Sequence, residues 1–347
     1  MQHEGNEFDL LLNQLGDKGK PLRLSRLPAL SDLYGERLNR FCAAYDAYGV
    51  EGRRRLLRSL LELAESRFEV NFDAIFRHAL NDSDASARAM AVEGLWEDSS
   101  PALISPLVGL LRADPSPRAR AAAATGLGRF VLAGQLEELD AARQAQILEV
   151  LLSTVNLSGE ELEVRRRALE SAAYAGSPEV ADLLEAAYDQ EDEEMRLSAV
   201  LGMGRTCDKR WESIIVQELE SGTGAMRYEA IVACGELGLS DSVFLLGGMI
   251  RDPDRQVSEA AIWALGQIGG QPARDLLLDA YEDADEDAQA AIDEALAELA
   301  FSSGASAFDH LDADGAEDLE ILYEAEDEES LRGDPEQDDP SRTEQDT

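Results

Sequence analysis

The chain has 347 residues, of which 31 are basic and 71 are acidic, so its formal net charge at pH 7 is −40. A charge of this sign opposes binding to a phosphate backbone or to an anionic membrane surface, because both need clustered cations. The three cysteines form no CxxC pair, which argues against a disulfide framework or a zinc site. The apolar share of 44% consists mainly of Ala and Leu, which favours helices over sheets.

Residues 1–70 are predicted to form an N-terminal helical cap. Leu56–Ala64 is amphipathic, and Leu38–Tyr48 provides a second helical segment that contains aromatic residues. Neither segment follows the repeat that occupies the next part of the chain. An array of repeats exposes its core at each end unless another element covers it, and these helices are suited to that task.

Residues 71–300 contain an internal repeat with a period of about 31 residues. Its copies start at Ala87, Ala119, Val164, Met195, Met226, Val257 and Ala288. Apolar or small residues recur four, eight and eleven places after each start, which puts them on one side of a helix. A further apolar segment precedes each copy, so the predicted unit is a pair of antiparallel helices. Residues 131–159 hold an insertion of about 14 residues, as judged by the larger step from Ala119 to Val164.

The turns inside the repeats have a recognisable composition. An Asp lies five places before the start of four copies, at Asp82, Asp114, Asp252 and Asp283. Such an Asp can accept hydrogen bonds from the free amides at the beginning of the next helix. Proline at positions 115 and 253 prevents the first helix of the pair from continuing.

The copy Asp252–Gly269 resembles the HEAT repeat, in its short, phycobilisome-lyase-like form. The resemblance covers about residues 71–300 and implies an all-α fold, an α-solenoid of stacked antiparallel helix pairs. In HEAT repeats an Arg directly after the motif start and the turn Asp commonly form a ladder between copies. The matching residues here are Arg88, Arg120, Arg165, Arg196 and Arg227. Ser258 and Gln289 depart from the pattern, so we expect the ladder to lapse in the last two copies.

Residues 301–347 are predicted to form a disordered acidic tail, since they contain 17 acidic and only 2 basic side chains. One apolar run, Leu319–Tyr323, lies inside this segment. Two interpretations remain open for it: the frayed last turn of a helix, or a peptide that docks on the array or on a partner.

The sequence offers no catalytic, cofactor-binding or metal site. The deoxyhypusine hydroxylases, which are helical-repeat enzymes, hold iron with repeated His-Glu pairs, whereas only His3 of the three histidines here adjoins a Glu. Residues 53–58 contain four arginines that could contact a nucleic acid, but a solvated helix face explains them as well. Neither nucleic acid nor a membrane is expected as a partner, and the expected location is the cytoplasm.

The resemblance places the concave surface on the second helix of each pair, near the second, sixth, ninth and thirteenth places after the motif start. Apolar residues occupy the second and sixth places in consecutive copies, where other copies have polar ones. The predicted strip comprises Leu197, Leu201, Tyr228, Val232 and Trp263, with a rim formed by Glu170, Glu259 and Glu294. An aromatic anchor inside a polar rim is typical of protein interfaces. The alternative is that curvature or a docked tail buries these residues.

The sequence therefore predicts a non-enzymatic scaffold or adaptor that binds a protein partner on its concave face. The acidic rim favours a basic or amphipathic partner, because complementary potentials steer association. The alternative function, suggested by the repeat type alone, is a bilin-lyase-like or cofactor-handling subunit.

Overall fold

The computed structural model describes residues 2–16 and 23–302, and this part of the chain is all helical, without β-strands. The N-terminal region contains α1 (Gln2–Gly16), a 3₁₀ helix (Leu24–Leu30), α2 (Gly35–Ala47) and α3 (Val50–Ser66). Seven helix pairs follow. The predicted all-α solenoid is therefore confirmed, while the predictions for residues 303–347, including Leu319–Tyr323, lie outside the described residues.

Each pair has a first helix and a second helix. The first helices are α4 (Asp73–Ala79), α6 (Ile104–Ala113), α8 (Ala141–Val155), α10 (Pro178–Tyr188), α12 (Glu212–Ser221), α14 (Val243–Gly247) and α16 (Gly270–Tyr281). The second helices are α5 (Ala85–Gly94), α7 (Pro117–Gln135), α9 (Leu162–Ala172), α11 (Glu193–Arg205), α13 (Gly224–Leu237), α15 (Arg255–Ile268) and α17 (Glu286–Ser302). All seven motif starts fall near the beginning of a second helix, as the period predicts.

The second helices form the inner layer of a curved stack. Each contacts the next one closely along the chain, from α5 to α17, whereas the first helices contact one another much more sparsely. A stack whose one layer is spaced more tightly must curve toward that layer. The second helices therefore line the concave side, in agreement with the resemblance.

Small residues allow this close spacing. A Cβ atom added to Gly204 would lie 2.9 Å from the Cα atom of Ala233 on the neighbouring second helix. Gly235 and Gly266 occupy the same ninth place in the next two copies, and their added Cβ atoms would lie 3.0 Å from the Cα atoms of Ala264 and Ala295. The recurring glycine thus marks where two helix backbones meet.

The arginine ladder is present at the N-terminal interfaces. Arg88 Nε donates to Asp114 Oδ2 at 2.6 Å, and its Nη1 donates to the carbonyl oxygen of Asp82 at 2.7 Å. Arg120 forms the equivalent pair with Glu160, with 2.7 Å between Nη2 and Oε1. Since both partners of each pair are largely shielded from water, these ion pairs fix the angle between successive copies.

The ladder lapses earlier than expected. Within the described residues neither Arg165 nor Arg227 forms an ion pair; Arg165 donates to the carbonyl oxygen of Val155 at 2.9 Å instead. Arg196 reaches Glu218 at 3.2 Å, so one pair persists between these two positions. Ser258 bonds the carbonyl oxygen of Ile250, in the turn after α14, and Gln289 bonds that of Tyr281 at the end of α16, as their departure from the pattern predicts.

The N-terminal region continues the inner layer, because α3 packs against α5. Arg53 of α3 occupies the ladder position, with 2.7 Å between its Nε and Asp82 Oδ2. The helix packs as a further second helix although its sequence does not follow the 31-residue motif. That residues 1–70 act as a separate cap stays a proposal.

Two details of the turns and of the insertion refine the predictions. Asp82, Asp114 and Asp252 each accept a hydrogen bond from the amide two residues later, inside the turn. The helix caps are instead the residues two places on, such as Asp84 and Asp254. The extra residues in 131–159 lengthen α7 and α8 and form the connection to α9.

Candidate protein-binding face

The structure divides the predicted apolar strip into exposed and core positions. Tyr228 and Trp263 lie on the adjacent inner helices α13 and α15 and are 39% and 40% exposed. Leu197 and Val232 are partly buried and pack against the hydrophobic core. Leu201 lines a groove on the concave side. Only part of the strip is therefore available to a partner.

Two residues of the predicted rim, Glu259 and Glu294, face solvent. Glu170 is different, because its exposed fraction is only 4%. Its Oε1 accepts a hydrogen bond from Ser198 Oγ at 2.6 Å, and its Oε2 accepts one from Arg167 Nη1 at 2.7 Å. The prediction that Glu170 belongs to an exposed rim is wrong, since this carboxylate connects α9 to α11.

A groove of about 780 Å³ lies on the concave side across the second helices α5, α7, α9 and α11. Its wall combines arginine and aromatic side chains. We call it the arginine groove, and it is defined by Trp96, Arg118, Arg129, Arg167, Tyr174 and Arg205. Trp96 is 61% exposed, an unusual state for so large an apolar side chain. Glu93, Glu163 and Glu170 also line it, so the groove offers apolar area and four arginines beside three carboxylates.

Two of these arginines lack an acidic partner. Within the described residues, neither Arg118 nor Arg129 has a carboxylate at ion-pair distance. Arg129 Nη1 donates to the carbonyl oxygen of Trp96 at 3.3 Å, while its Nε and Nη2 are buried and have no hydrogen-bond partner. Burial lowers the pKa of the Arg129 guanidinium, and the nearby carboxylates of Asp98 and Asp73 oppose part of this shift. A buried, incompletely bonded cation is energetically costly, so an anionic group at this position would stabilise it.

Arg167 and Arg205 are held in place from within the fold. Arg167 bonds Glu163 and Glu170 of its own helix. Arg205 donates to the carbonyl oxygen of Glu170 at 2.9 Å, and its guanidinium lies 4.8 Å from the ring centroid of Tyr174. These contacts fix the floor of the groove and leave Arg118 and Arg129 as its unpaired cations.

A cluster of carboxylates lies next to this floor, between α9, α11 and α13. Burial, and secondarily the carboxylate of Glu170, raises the pKa of Glu229 to about 7. Burial also raises the pKa of Glu236. Within the described residues, no group of His, Cys, Asp and Glu side chains has an arrangement that could hold a metal ion.

The sequence contained a signal for the arginine groove that the prediction did not use. Three successive copies have Arg129, Tyr174 and Arg205 in the tenth place after the motif start. The prediction considered the second, sixth, ninth and thirteenth places. Trp96, Leu132 and Leu201 belong to those places and line the groove together with the row in the tenth place, which the prediction did not include.

Two of the four arginines in residues 53–58 form ion pairs within the fold and are therefore not available to a nucleic acid. Arg53 pairs with Asp82, and Arg54 pairs with Asp84 at 2.5 Å. Both guanidinium groups thus stabilise the interface between α3 and the next pair.

None of the described helices has the length and hydropathy required to cross a bilayer.

Antiparallel helix pairs stacked in this way define a helical-repeat solenoid. A sequence model of the family described as HEAT repeats matches residues 73–156 and 212–297. The chain is a HEAT-repeat protein. The phycobilisome-lyase-like subtype remains an expectation from the motif alone.

Three solved structures illustrate the similarity in fold. YibA of Escherichia coli is 17% identical, with a TM-score of 0.40 and coverage of 69% of this chain and 95% of that one. Human deoxyhypusine hydroxylase in complex with glycerol is 16% identical, with a TM-score of 0.32 and coverage of 85% and 96%. Kap95p bound to RanGDP is 14% identical, with a TM-score of 0.43, and this chain matches 45% of its length. No curated protein matches the sequence.

Proposed function

We propose that this chain is a non-enzymatic scaffold that binds a protein partner on its concave face. The observation that supports it most is the exposure of Tyr228 and Trp263 on adjacent inner helices. Large aromatic side chains that stay accessible on a concave surface are typical anchors of protein interfaces. Helical-repeat solenoids use such extended concave surfaces for binding.

The partner is proposed to be basic or amphipathic at this end of the face. Glu259 and Glu294 are exposed on α15 and α17, and residues 131–300 contain 36 acidic but only 12 basic side chains. A basic partner would be attracted by this field, and its association rate should fall markedly as the salt concentration rises.

Affinity purification with the double variant Tyr228→Ala/Trp263→Ala tests the proposal. Phe244→Ala is the matched control, because Phe244 lies on the first helix α14 and is 75% exposed. Proteins captured by the wild type and by the control should be lost from the double variant, with similar thermal midpoints for all three. An unchanged set of captured proteins would contradict the proposal, and a large loss of stability would identify the two aromatic residues as core.

The absorption spectrum distinguishes the proposed scaffold from the bilin-handling alternative. A scaffold should remain colourless after incubation with a bilin, whereas a lyase-like protein should bind or transfer the chromophore.

A further inference from the structure

We propose that the arginine groove is the docking site of the chain's own acidic C-terminal segment, centred on Leu319–Tyr323. This proposal concerns the N-terminal half of the concave face and does not depend on the partner surface around Tyr228 and Trp263. Three independent properties support it: the opposite charges of groove and segment, the spacing of apolar residues in the segment, and the length of chain that joins the segment to α17.

The charges of the groove and of the segment are complementary. Arg118 and Arg129 have no carboxylate partner within the described residues, and two nitrogen atoms of Arg129 are unbonded. Residues 303–347 contain 17 acidic and 2 basic side chains, and Glu320 lies within the apolar run. A carboxylate of the segment would bond the exposed guanidinium of Arg118 directly and would be attracted by the partly buried charge of Arg129 beside it.

The apolar pattern of the segment also fits the groove. Leu319, Ile321 and Tyr323 alternate with other residues, so in an extended segment they would project to the same side. The groove presents Trp96, Leu132 and Leu201 beside its cations. The other side of an extended segment would carry Glu320 and Glu324 with Leu322 between them, so one side would be apolar and the other largely acidic, which matches both kinds of lining.

The described end of the chain lies within reach of the groove. The second helices run parallel, and Ser302, like Arg129 and Arg205, lies at the C-terminal end of its helix. From α17 to α7, which carries Arg118 and Arg129, there are five steps in the inner layer, or roughly 40–50 Å at 8–10 Å per step. The 17 residues from Ser302 to Leu319 span up to about 60 Å when extended.

Tethering makes a weak contact sufficient. A segment joined by a flexible linker of matching length has an effective concentration on the order of 1 mM at its site. A dissociation constant of about 0.1 mM for the free peptide would then keep the segment docked about nine-tenths of the time. Because the contact is largely electrostatic, it should weaken as salt rises.

Hydrogen exchange measured by mass spectrometry on the full chain tests the proposal. In the wild type at low salt, amides of Leu319–Tyr323 should exchange about tenfold more slowly than in an unstructured chain, as expected for a segment docked nine-tenths of the time. Arg118→Glu should remove this protection, because the exposed Arg118 faces the groove. Arg112→Glu is the matched control; this exposed residue of α6 lies in the other layer and should leave the protection unchanged.

A variant of the segment provides the reciprocal measurement. Leu319→Ser/Ile321→Ser/Tyr323→Ser should accelerate exchange in the groove peptides around Trp96 and Arg129, without a change at α13–α17. The proposal is overturned if the segment exchanges at the unstructured rate in the wild type. It is also overturned if Arg112→Glu and Arg118→Glu act alike, or if protection depends on protein concentration, which would mean that the segment docks on a second copy.

Discussion

Gly204 offers a test of how the repeats are spaced. It lies in α11, and an added Cβ atom would be 2.9 Å from Ala233 Cα and 2.6 Å from Glu236 Oε2. A contact with backbone at this distance cannot be relieved by turning a side chain. Gly204→Ala should therefore force α11 and α13 apart, or make one of them shift along the other.

The magnitude follows from two opposing effects. Replacing Gly by Ala within a helix stabilises it by about 0.5–1 kcal/mol. Overpacking a closely packed contact costs about 1–3 kcal/mol. The net change in the free energy of unfolding should be a destabilisation of up to about 2.5 kcal/mol. Gly109 provides the matched control, because it lies within α6 and an added Cβ atom there meets nothing within 4 Å.

Urea unfolding followed by circular dichroism measures both variants. Gly109→Ala should be slightly more stable than the wild type, while Gly204→Ala should be less stable. The difference between the two isolates the clash, since the helix-propensity gain is common to both. Equal stabilisation of the two variants would refute the close approach of α11 and α13.

Three further predictions concern ionised and reactive groups. Arg88→Ala should destabilise the fold by about 3–5 kcal/mol in thermal or urea unfolding, because Asp114 is left buried and unpaired. The pKa of Glu229 is raised from 4.5 to about 7, so the folded state binds more protons between these values. The free energy of unfolding should accordingly fall as pH rises through this window, and Glu229→Gln should remove that part of the dependence. Alkylation with iodoacetamide should modify the exposed Cys207 readily and spare Cys234, whose pKa burial raises to about 11.

For each of these three predictions, a specific result would contradict the reasoning. Arg143→Ala breaks an exposed ion pair with Asp140 and should cost less than about 1 kcal/mol, so an equal effect of the Arg88 and Arg143 variants would contradict the ladder's role. Identical pH profiles for the wild type and Glu229→Gln would show that this carboxyl is not buried as described. Modification of Cys234 before unfolding would show that α13 is accessible.

Periodicity predicted the register of the second helices because the pattern depends only on contacts that every copy repeats. All seven starts begin a second helix, and the small residue in the ninth place lies at a helix contact wherever it is Gly204, Gly235 or Gly266. Features that recur in every copy can thus be predicted from the sequence.

Features that depend on unlike neighbours were harder to predict. Glu170 occupies a place that is exposed in four of the other copies, but it is buried because Ser198 and Arg167 lie beside it. The arginine groove needs residues from four successive helices, and α7, which supplies Arg129, extends to Gln135 in the region of the insertion. No single copy contains that information, so a copy-by-copy comparison could not show it.

The uneven ladder gives the molecule a stiff end and a compliant end. Buried pairs such as Arg88 with Asp114 couple the first copies, whereas α15 and α17 are bridged by Arg255 and Asp287, both about two-thirds exposed. In a repeat array the stability is close to a sum of copy and interface contributions, so the weakest interfaces open first. Heating or pulling should therefore release the C-terminal copies before the rest. A partner that binds near Trp263 would meet the part of the array that adapts its curvature most easily.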